Sequence, residues 1–177
     1  MGLKYSTLIF AILTLSTAAF AATDGSLGGS SSGSLNITMV IPERIRITKI
    51  DDLSPPEFTG SGDREDNDDL CIYTNMRTGS YKVTARGDGP GGEFSLRDKL
   101  GHRLNYQLRW NDKNGTTNNT PLENGIPLHS QQGASIETEN CGGGTNANVQ
   151  VIFSEEVMLA SDSGVYEGEV TLLVEPE

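Results

Sequence analysis

The segment Leu35–Ile41, with the sequence LNITMVI, alternates apolar with mostly polar residues over its whole length. A β-strand projects successive side chains to opposite faces, so one face of this segment would carry Leu35, Ile37, Met39 and Ile41. Residues 22–34 before it are rich in glycine and serine, and Pro42 follows directly. We expect residues 22–34 to be a flexible tether that lets the strand reach beyond its own domain and add to the sheet of another chain.

The remainder of the chain repeats short alternating runs separated by Gly, Asn and Asp residues, which indicates strands joined by turns. We predict these strands at residues 44–50, 70–74, 81–85, 94–96, 103–110, 135–138, 149–153 and 165–174. Residues 54–69 are acidic and polar and are expected to be irregular. Residues 155–160 are the best helical candidate but are not predicted as a helix. The pattern predicts an all-β sandwich.

The last predicted strand, residues 165–174, is the natural candidate to flank an added strand. Its alternation places one set of side chains on a shared face, namely Tyr166, Val170, Leu172 and Val174. Because the sequence ends at Glu177, we expect no segment after this strand to cover its outer edge. An apolar edge that stays open is normally covered in some other way.

The first 21 residues have the pattern of a secretory signal peptide. Lys4 supplies the positive charge, Leu8–Phe20 the apolar region, and Ala19–Ala21 a small-x-small cleavage site. No other apolar run is long enough to span a membrane. The expected organisation is therefore a signal peptide at 1–21, a tether at 22–34, a donor strand at 35–41 and a sandwich domain at 42–177 of a protein exported without membrane insertion.

The net charge of the chain is −11. A protein that neutralises phosphates needs clustered Lys and Arg side chains, so this balance argues against nucleic acid as a partner. The same balance argues against attraction to an anionic membrane surface.

Cys71 and Cys141 are the two cysteines of the chain. In an exported protein an isolated pair of cysteines indicates one disulfide, and we predict a bond between them. Because a closed zinc site needs four ligands and neither His102 nor His129 has metal-ligand spacing, we predict no metal site there.

We find no pattern that predicts an enzyme. A catalytic triad needs a nucleophile, a base and an orienting group, and the two histidines stand in segments with turn or loop character without a nucleophile motif. We expect His102 and His129 to be surface residues, and we predict no catalytic residue and no cofactor. A secreted hydrolase is the weakest of the functions considered.

Two other features have a functional and a plain structural interpretation. The acidic run at residues 63–69 would suit Ca²⁺, but it lacks the EF-hand pattern and is more typical of a solvated loop. Tyr81, Tyr106 and Trp110 would make a sugar-stacking platform if they were exposed, but their alternation with polar residues favours the core.

With these segments in view, the chain resembles subunits of chaperone–usher fimbriae of the archaic and alpha types, including the spore coat protein U domain. The resemblance rests on residues 35–53, on the cysteine strand and the Gly-x-Tyr strand within residues 71–85, and on the Gly-x-Tyr-x-Gly run that opens residues 163–174. Unlike many protein U domains, this chain has no cysteine near the start of its first strand.

The resemblance implies an incomplete immunoglobulin-like sandwich that lacks its last strand. A periplasmic chaperone would fill the gap, an outer-membrane usher would assemble the fibre, and the N-terminal strand of a neighbouring pilin subunit would replace the chaperone. The expected function is that of a structural subunit of a surface fimbria that serves adhesion or biofilm formation. The alternative is a monomeric secreted binding module, for instance for carbohydrate, in which residues 35–41 close the sandwich of their own chain.

Overall fold

The computed structural model describes residues 22–177, so the predicted signal peptide at residues 1–21 lies outside the described residues. The chain divides at Ile41 and Pro42 into two compact units. In the first unit, the backbones of Thr23 and Ser34 exchange two hydrogen bonds of 2.9 Å, which close a loop in the glycine- and serine-rich segment. We refer to the second unit, Pro42–Glu177, as the body.

The body contains ten strands and one short α-helix. The strands are β1 Ile45–Thr48, β2 Arg64–Thr74, β3 Tyr81–Gly87, β4 Ser95–Arg97, β5 Arg103–Asn105, β6 Gln107–Asn111, β7 Thr120–Pro121, β8 Leu128–Gln131, β9 Ala147–Phe153 and β10 Val170–Pro176. The helix α1 is Glu155–Leu159, and two 3₁₀ turns lie at Pro90–Gly92 and Cys141–Gly143.

The strands form three antiparallel sheets. The largest has the order β1-β2-β9-β6-β7, the second has the order β10-β3-β8, and β4 pairs with β5 in a small hairpin. Side chains of the two larger sheets form one core, in which Tyr81 of β3 and Trp110 of β6 meet edge to face with ring centroids 6.3 Å apart. The prediction of an all-β sandwich is therefore confirmed.

The acidic run forms the first half of β2, where a polar and irregular stretch was expected. This half pairs with β9 from Arg64 opposite Phe153 to Leu70 opposite Ala147. Side-chain amides on β9 bind the oxygens of this run: Asn148 Nδ2 donates to Asp69 Oδ1 at 2.8 Å, and Gln150 Nε2 donates to Glu65 Oε2 at 3.0 Å. Tertiary pairing thus overrides the low strand propensity of acidic residues.

The clearest strand of the sequence, residues 103–110, is divided at Tyr106. Residues before the break pair with β4, and residues after it pair with β9, so the chain passes from one sheet to another there. The backbone N–H of Tyr106 donates to Phe94 O at 3.0 Å. The alternation of side chains continues through the break, which is why periodicity alone did not reveal it.

Three smaller expectations need correction. Residues 155–159 do form a helix, and Ser154 caps it by accepting a hydrogen bond from the backbone N–H of Val157 at 3.4 Å. The strand expected at residues 135–138 is reduced to a single bridge between Ser135 and Tyr73. The last strand begins at Val170 and not at Val165, because residues before it turn toward the β4–β5 hairpin, where Glu167 bridges to Arg97.

The predicted disulfide between Cys71 and Cys141 is confirmed. The two residues are separated by 70 positions, and their Cα atoms lie 6.0 Å apart. Cys71 lies on β2 opposite Thr48 of β1, so the bond holds the 3₁₀ turn at Cys141–Gly143 beside the β1–β2 pair.

Candidate strand-binding groove

Two strands of the body each have one open edge, and these edges face the same groove. β1 is the edge strand of the five-stranded sheet, and β10 is the edge strand of the three-stranded sheet. Their Cα atoms approach within 8 Å, yet within residues 42–177 no backbone ladder joins them. The backbone N–H and C=O groups on both edges are thus available to pair with a further strand.

The groove between these edges has an apolar lining. The side chains that pack against the core while staying partly exposed are those of Ile45 and Ile47 on β1, Leu53 after β1, and Val170 and Leu172 on β10. On β10 they alternate with Thr171 and Leu173, which face away and are exposed. Each edge strand therefore has partly exposed apolar side chains on one face, and the alternate side chains of an added strand could pack against such a face.

Three of the four residues predicted for the groove strand lie on β10, and the fourth does not. Val170, Leu172 and Val174 share the inward face of β10, and Val174 is 9% exposed. Tyr166 lies outside the strand, and its hydroxyl donates to Asp162 O at 2.9 Å. Because the chain leaves the β10 edge before Val170, the alternation of the sequence no longer reports a common sheet face there.

Tyr166 instead helps to line a cleft of about 530 Å³ between the residues that follow β1 and the residues that precede β10. The apolar side chains in its wall are Pro55, Pro56, Phe58, Leu96, Leu104, Phe153, Met158 and Tyr166. Gly168 lets the segment before β10 approach β4, because a Cβ atom there would lie 3.0 Å from Leu96 Cδ2. Tyr166 thus belongs to this cleft and not to β10.

The wall of the groove next to β1 is held by carboxylates of the acidic run. After β1, the backbone N–H of Asp51 donates to Asp68 Oδ2 at 2.8 Å, and that of Ser54 donates to Asp66 Oδ2 at 2.8 Å. These side-chain contacts take the place of backbone pairing between residues 51–54 and β2. They fix the apolar side chain of Leu53 on the groove side of this wall.

The carboxylates of Asp51, Asp66, Asp68 and Asp69 lie close together, so negative charge is concentrated around Asp68. Burial raises the pKa of Asp68, and the negative charges of Asp51, Asp69 and Asp66 raise it further, against the hydrogen bond from the Asp51 backbone. Within residues 22–177, no group of three or more His, Cys, Asp or Glu side chains is arranged to hold a metal ion. The oxygens of Asp66 and Asp68 already accept backbone hydrogen bonds.

Both histidines contact carboxylates near the body surface. His102 Nδ1 lies 2.9 Å from Asp98 Oδ2 and 3.6 Å from Asp162 Oδ2, at the tip of the β4–β5 hairpin. His129 Nδ1 lies 2.7 Å from Glu177 Oε1. Although burial opposes it, hydrogen bonds from the His102 ring and from the backbone of the same turn lower the pKa of Asp98.

The aromatic residues considered for sugar stacking lie mainly in the core, as their alternation predicted. Tyr81 and Trp110 are fully buried, and burial raises the pKa of the Tyr81 phenol well above its usual range. Tyr106 is half-buried between Phe94 and Phe153, with ring centroids 5.8 and 5.4 Å away. Burial, the larger cause, and the charge of Asp88 raise its pKa to about 12.

The four residues predicted for a donor strand are among the most exposed apolar residues of the chain. The exposed fractions are 71% for Leu35, 87% for Ile37, 83% for Met39 and 71% for Ile41. Residues 35–41 form no strand in the single chain. A row of exposed apolar side chains marks a surface that a partner covers.

The predicted tether does not lie between this segment and the body. Residues 22–34 lie on the N-terminal side of residues 35–41, whereas the body begins on their C-terminal side at Pro42. Only Pro42, Glu43 and Arg44 therefore lie between this segment and the start of β1 at Ile45.

Two solved structures of fimbrial proteins are similar to this chain. A chain from a complex of a chaperone and a tip adhesin of CFA/I fimbriae aligns with a TM-score of 0.50 and 19% identity, over 75% of this chain and 41% of that chain. A mutant of the adhesin CfaE of enterotoxigenic E. coli aligns with a TM-score of 0.49 and 15% identity, over 76% of this chain and 43% of that chain. Neither a protein-family model nor a curated protein matches the chain.

The likeness to the first of these chains shows the fold class. The chain has an all-β, immunoglobulin-like fold of the kind found in fimbrial proteins, and it spans about two fifths of the length of the solved chains it matches. Within residues 22–177, no helix reaches the length and apolar character that crossing a membrane requires.

Proposed function

We propose that this chain is a structural subunit of a bacterial surface fimbria, in which residues 35–41 of one copy occupy the groove between β1 and β10 of the next. One observation carries the proposal: the chain combines an exposed apolar segment with a groove that has two open edges and an apolar lining. A contact from the segment of one copy to the groove of another does not close on itself, so it builds a filament.

The dimensions of the two parts agree. The segment has seven residues, and β10 also has seven, from Val170 to Pro176. Burial of four large apolar side chains contributes about 1.5–3 kcal/mol each when it is complete, and backbone pairing along β10 adds to this. The cost of ordering the segment offsets part of the gain.

The proposed partners follow from the same groove. Before a neighbouring copy arrives, the apolar lining needs a temporary cover, which in this pathway is a periplasmic chaperone, and an outer-membrane usher then joins the subunits. The likeness of fold to a chain from a chaperone–tip adhesin complex supports this assignment. We place the chain with the archaic and alpha types that include the spore coat protein U domain, at the cell surface, in adhesion or biofilm formation.

We also propose that the chain is not an enzyme. Within residues 22–177, neither histidine ring is hydrogen-bonded to a serine hydroxyl or a cysteine thiol, and both rings contact carboxylates. The alternative of a monomeric binding module has less support. Residues 35–41 form no strand in their own chain, and two of the three aromatic side chains considered for sugar binding are fully buried.

The donor segment allows a direct test with a matched control. The variant Ile37→Asp, Met39→Asp places two charges on the face that would enter the groove, whereas Asn36→Asp, Thr38→Asp places the same charges on the opposite face of the same segment. We expect the first variant to remain monomeric and the second to polymerise, as measured by light scattering after size-exclusion chromatography and by electron microscopy. Polymers of Ile37→Asp, Met39→Asp would refute the assignment of the segment.

A further inference from the structure

Asn75 binds the chain at the point where it enters the body. The Asn75 Nδ2 group donates to Pro42 O at 2.9 Å, and Asn75 Oδ1 accepts from the backbone N–H of Arg44 at 2.8 Å. The backbone N–H of Asn75 also donates to Arg44 O at 3.1 Å. The Asn75 amide thereby acts like one more peptide group and extends the β1–β2 ladder beyond Ile45 opposite Thr74.

A second contact reinforces this anchor. Thr74 Oγ1 donates to Arg44 O at 3.0 Å and accepts from the backbone N–H of Met76 at 3.2 Å. Arg44 O therefore accepts two hydrogen bonds, from Asn75 N and from Thr74 Oγ1. The residues that connect the body to the donor segment are held as firmly as a strand, although they lie outside β1.

Proline further restricts this junction. The ring of Pro42 fixes its own φ angle near −65°, and its Cδ atom restricts the residue before it, Ile41, to extended conformations. Pro42 is also bound through its carbonyl group, so hydrogen bonds hold the chain on both sides of Glu43. A donor segment on a flexible leader would need several freely rotating residues.

We infer that Asn75 is a positioning residue that makes this junction rigid. The body of a donor copy would then lie directly beside the groove of its acceptor, with a fixed angle between the two bodies. This inference rests on the proposed function, and it names a role for Asn75 that assembly alone does not require. A polymer would form without it, but successive bodies would then pivot about residues 42–44. The partner of the contact is a second copy of the same chain.

The test compares polymers of three variants with polymers of the unaltered chain. Asn75→Ala removes both side-chain hydrogen bonds, and Asn75→Asp keeps the acceptor for Arg44 N but loses the donor to Pro42 O. Asn105→Ala is the control, because Asn105 is exposed on β5 and its side chain forms no hydrogen bond within residues 22–177. Polymers are grown by refolding the disulfide-intact protein at high concentration, and electron micrographs give the angle between successive bodies.

We expect polymers of Asn105→Ala to match those of the unaltered chain. The distribution of angles between successive bodies should be broader, and the persistence length shorter, for Asn75→Asp, and more so for Asn75→Ala. In the monomeric Ile37→Asp, Met39→Asp background, Asn75→Ala should raise the hydrogen-exchange rate of the Arg44 amide about tenfold, because the Asn75 Oδ1 bond no longer protects it. Circular dichroism checks that each variant is folded.

The outcomes separate this inference from the proposed function. Polymers of Asn75→Ala that are as straight as those of the unaltered chain would overturn the positioning role and leave the proposed function standing. Failure of the unaltered chain to polymerise would overturn both. An unchanged exchange rate at Arg44 would show that the side chain of Asn75 does not hold the junction.

Discussion

Asp66 Oδ2 accepts a hydrogen bond of 2.8 Å from the backbone N–H of Ser54. A side-chain carboxylate thus takes the place of the backbone carbonyl group that a neighbouring strand would supply. Together with the matching contact from Asp51 to Asp68, it holds residues 51–54 along β2. The position of one groove wall thus depends on side chains that, in the sequence, belong to an unremarkable acidic run.

Replacement of Asp66 tests the importance of this wall. We expect Asp66→Ala to lower the free energy of unfolding by about 1 kcal/mol, the ordinary net value of a hydrogen bond, as measured by urea denaturation. Asp66→Asn keeps an acceptor oxygen and should lose less. Asp52→Ala is the control, since Asp52 is exposed and its side chain forms no hydrogen bond within the described body. Equal unfolding midpoints for Asp52→Ala and Asp66→Ala would contradict this role.

We expect the contribution of Asp68 to the free energy of unfolding to depend on pH with the opposite sign from that of a salt-bridged carboxylate. The folded pKa of Asp68 is raised above the ordinary value of 3.8 by burial and by Asp51, Asp69 and Asp66, so the folded state binds its proton more tightly than the unfolded state does. Stability from this group is therefore present below pH 3.8 and is lost as the pH rises through the folded pKa.

The variant Asp68→Asn isolates that contribution. We expect it to melt at a higher temperature than the unaltered chain at pH 7, and we expect the difference to shrink as the pH is lowered toward 3.8. Asn keeps an oxygen that accepts from the Asp51 backbone. A difference in melting temperature that stays constant across this range would show that the titration of Asp68 does not contribute.

Part of the fold was predictable because alternation reports which face of a strand is buried. The inward set of Val170, Leu172 and Val174 was recovered in this way. Alternation does not report which strand lies alongside, so it gave no sign that the chain changes sheets at Tyr106. The helix at Glu155–Leu159 had a local signal, since Ser154 precedes two glutamates in the manner of an N-cap.

The candidate site was predicted less completely than the fold. Alternation in the sequence singles out Leu35–Ile41 as a candidate segment, but the anchor at Asn75 is a contact with Pro42 and Arg44, more than thirty positions away. The acidic half of β2 pairs with β9, where Asn148 and Gln150 supply amide donors to its carboxylates. Such contacts depend on strand order, which one sequence does not reveal.

The disulfide should contribute a large part of the stability of the body. It links residues 70 positions apart, for which the chain-entropy account gives about 4 kcal/mol. We expect the variant Cys71→Ala, Cys141→Ala to unfold at a correspondingly lower urea concentration. The unaltered chain treated with reductant serves as the comparison and should unfold near the same midpoint. Coincident curves for the oxidised chain and the double variant would contradict the prediction.

A peptide should bind the groove of a subunit that does not donate. We expect a peptide that spans residues 33–43 to raise the melting temperature of the Ile37→Asp, Met39→Asp variant, because a ligand that binds only the folded state stabilises it. A peptide with aspartate at positions 37 and 39 is the matched control. If both peptides leave the melting temperature unchanged, the groove between β1 and β10 does not accept this segment.

The short distance between the edges of β1 and β10 has a mechanical consequence. Adjacent hydrogen-bonded strands lie about 4.8 Å apart, so two strands on either side of an inserted one lie about 9.6 Å apart. Some Cα atoms of β1 and β10 lie within 8 Å of each other, so at those positions the two edges would have to part to admit a strand paired with both. In a fibre of such molecules, each subunit would therefore be wider across β1 and β10 than the free subunit. The measured diameter of the fibre would then exceed the width of the free subunit in this direction.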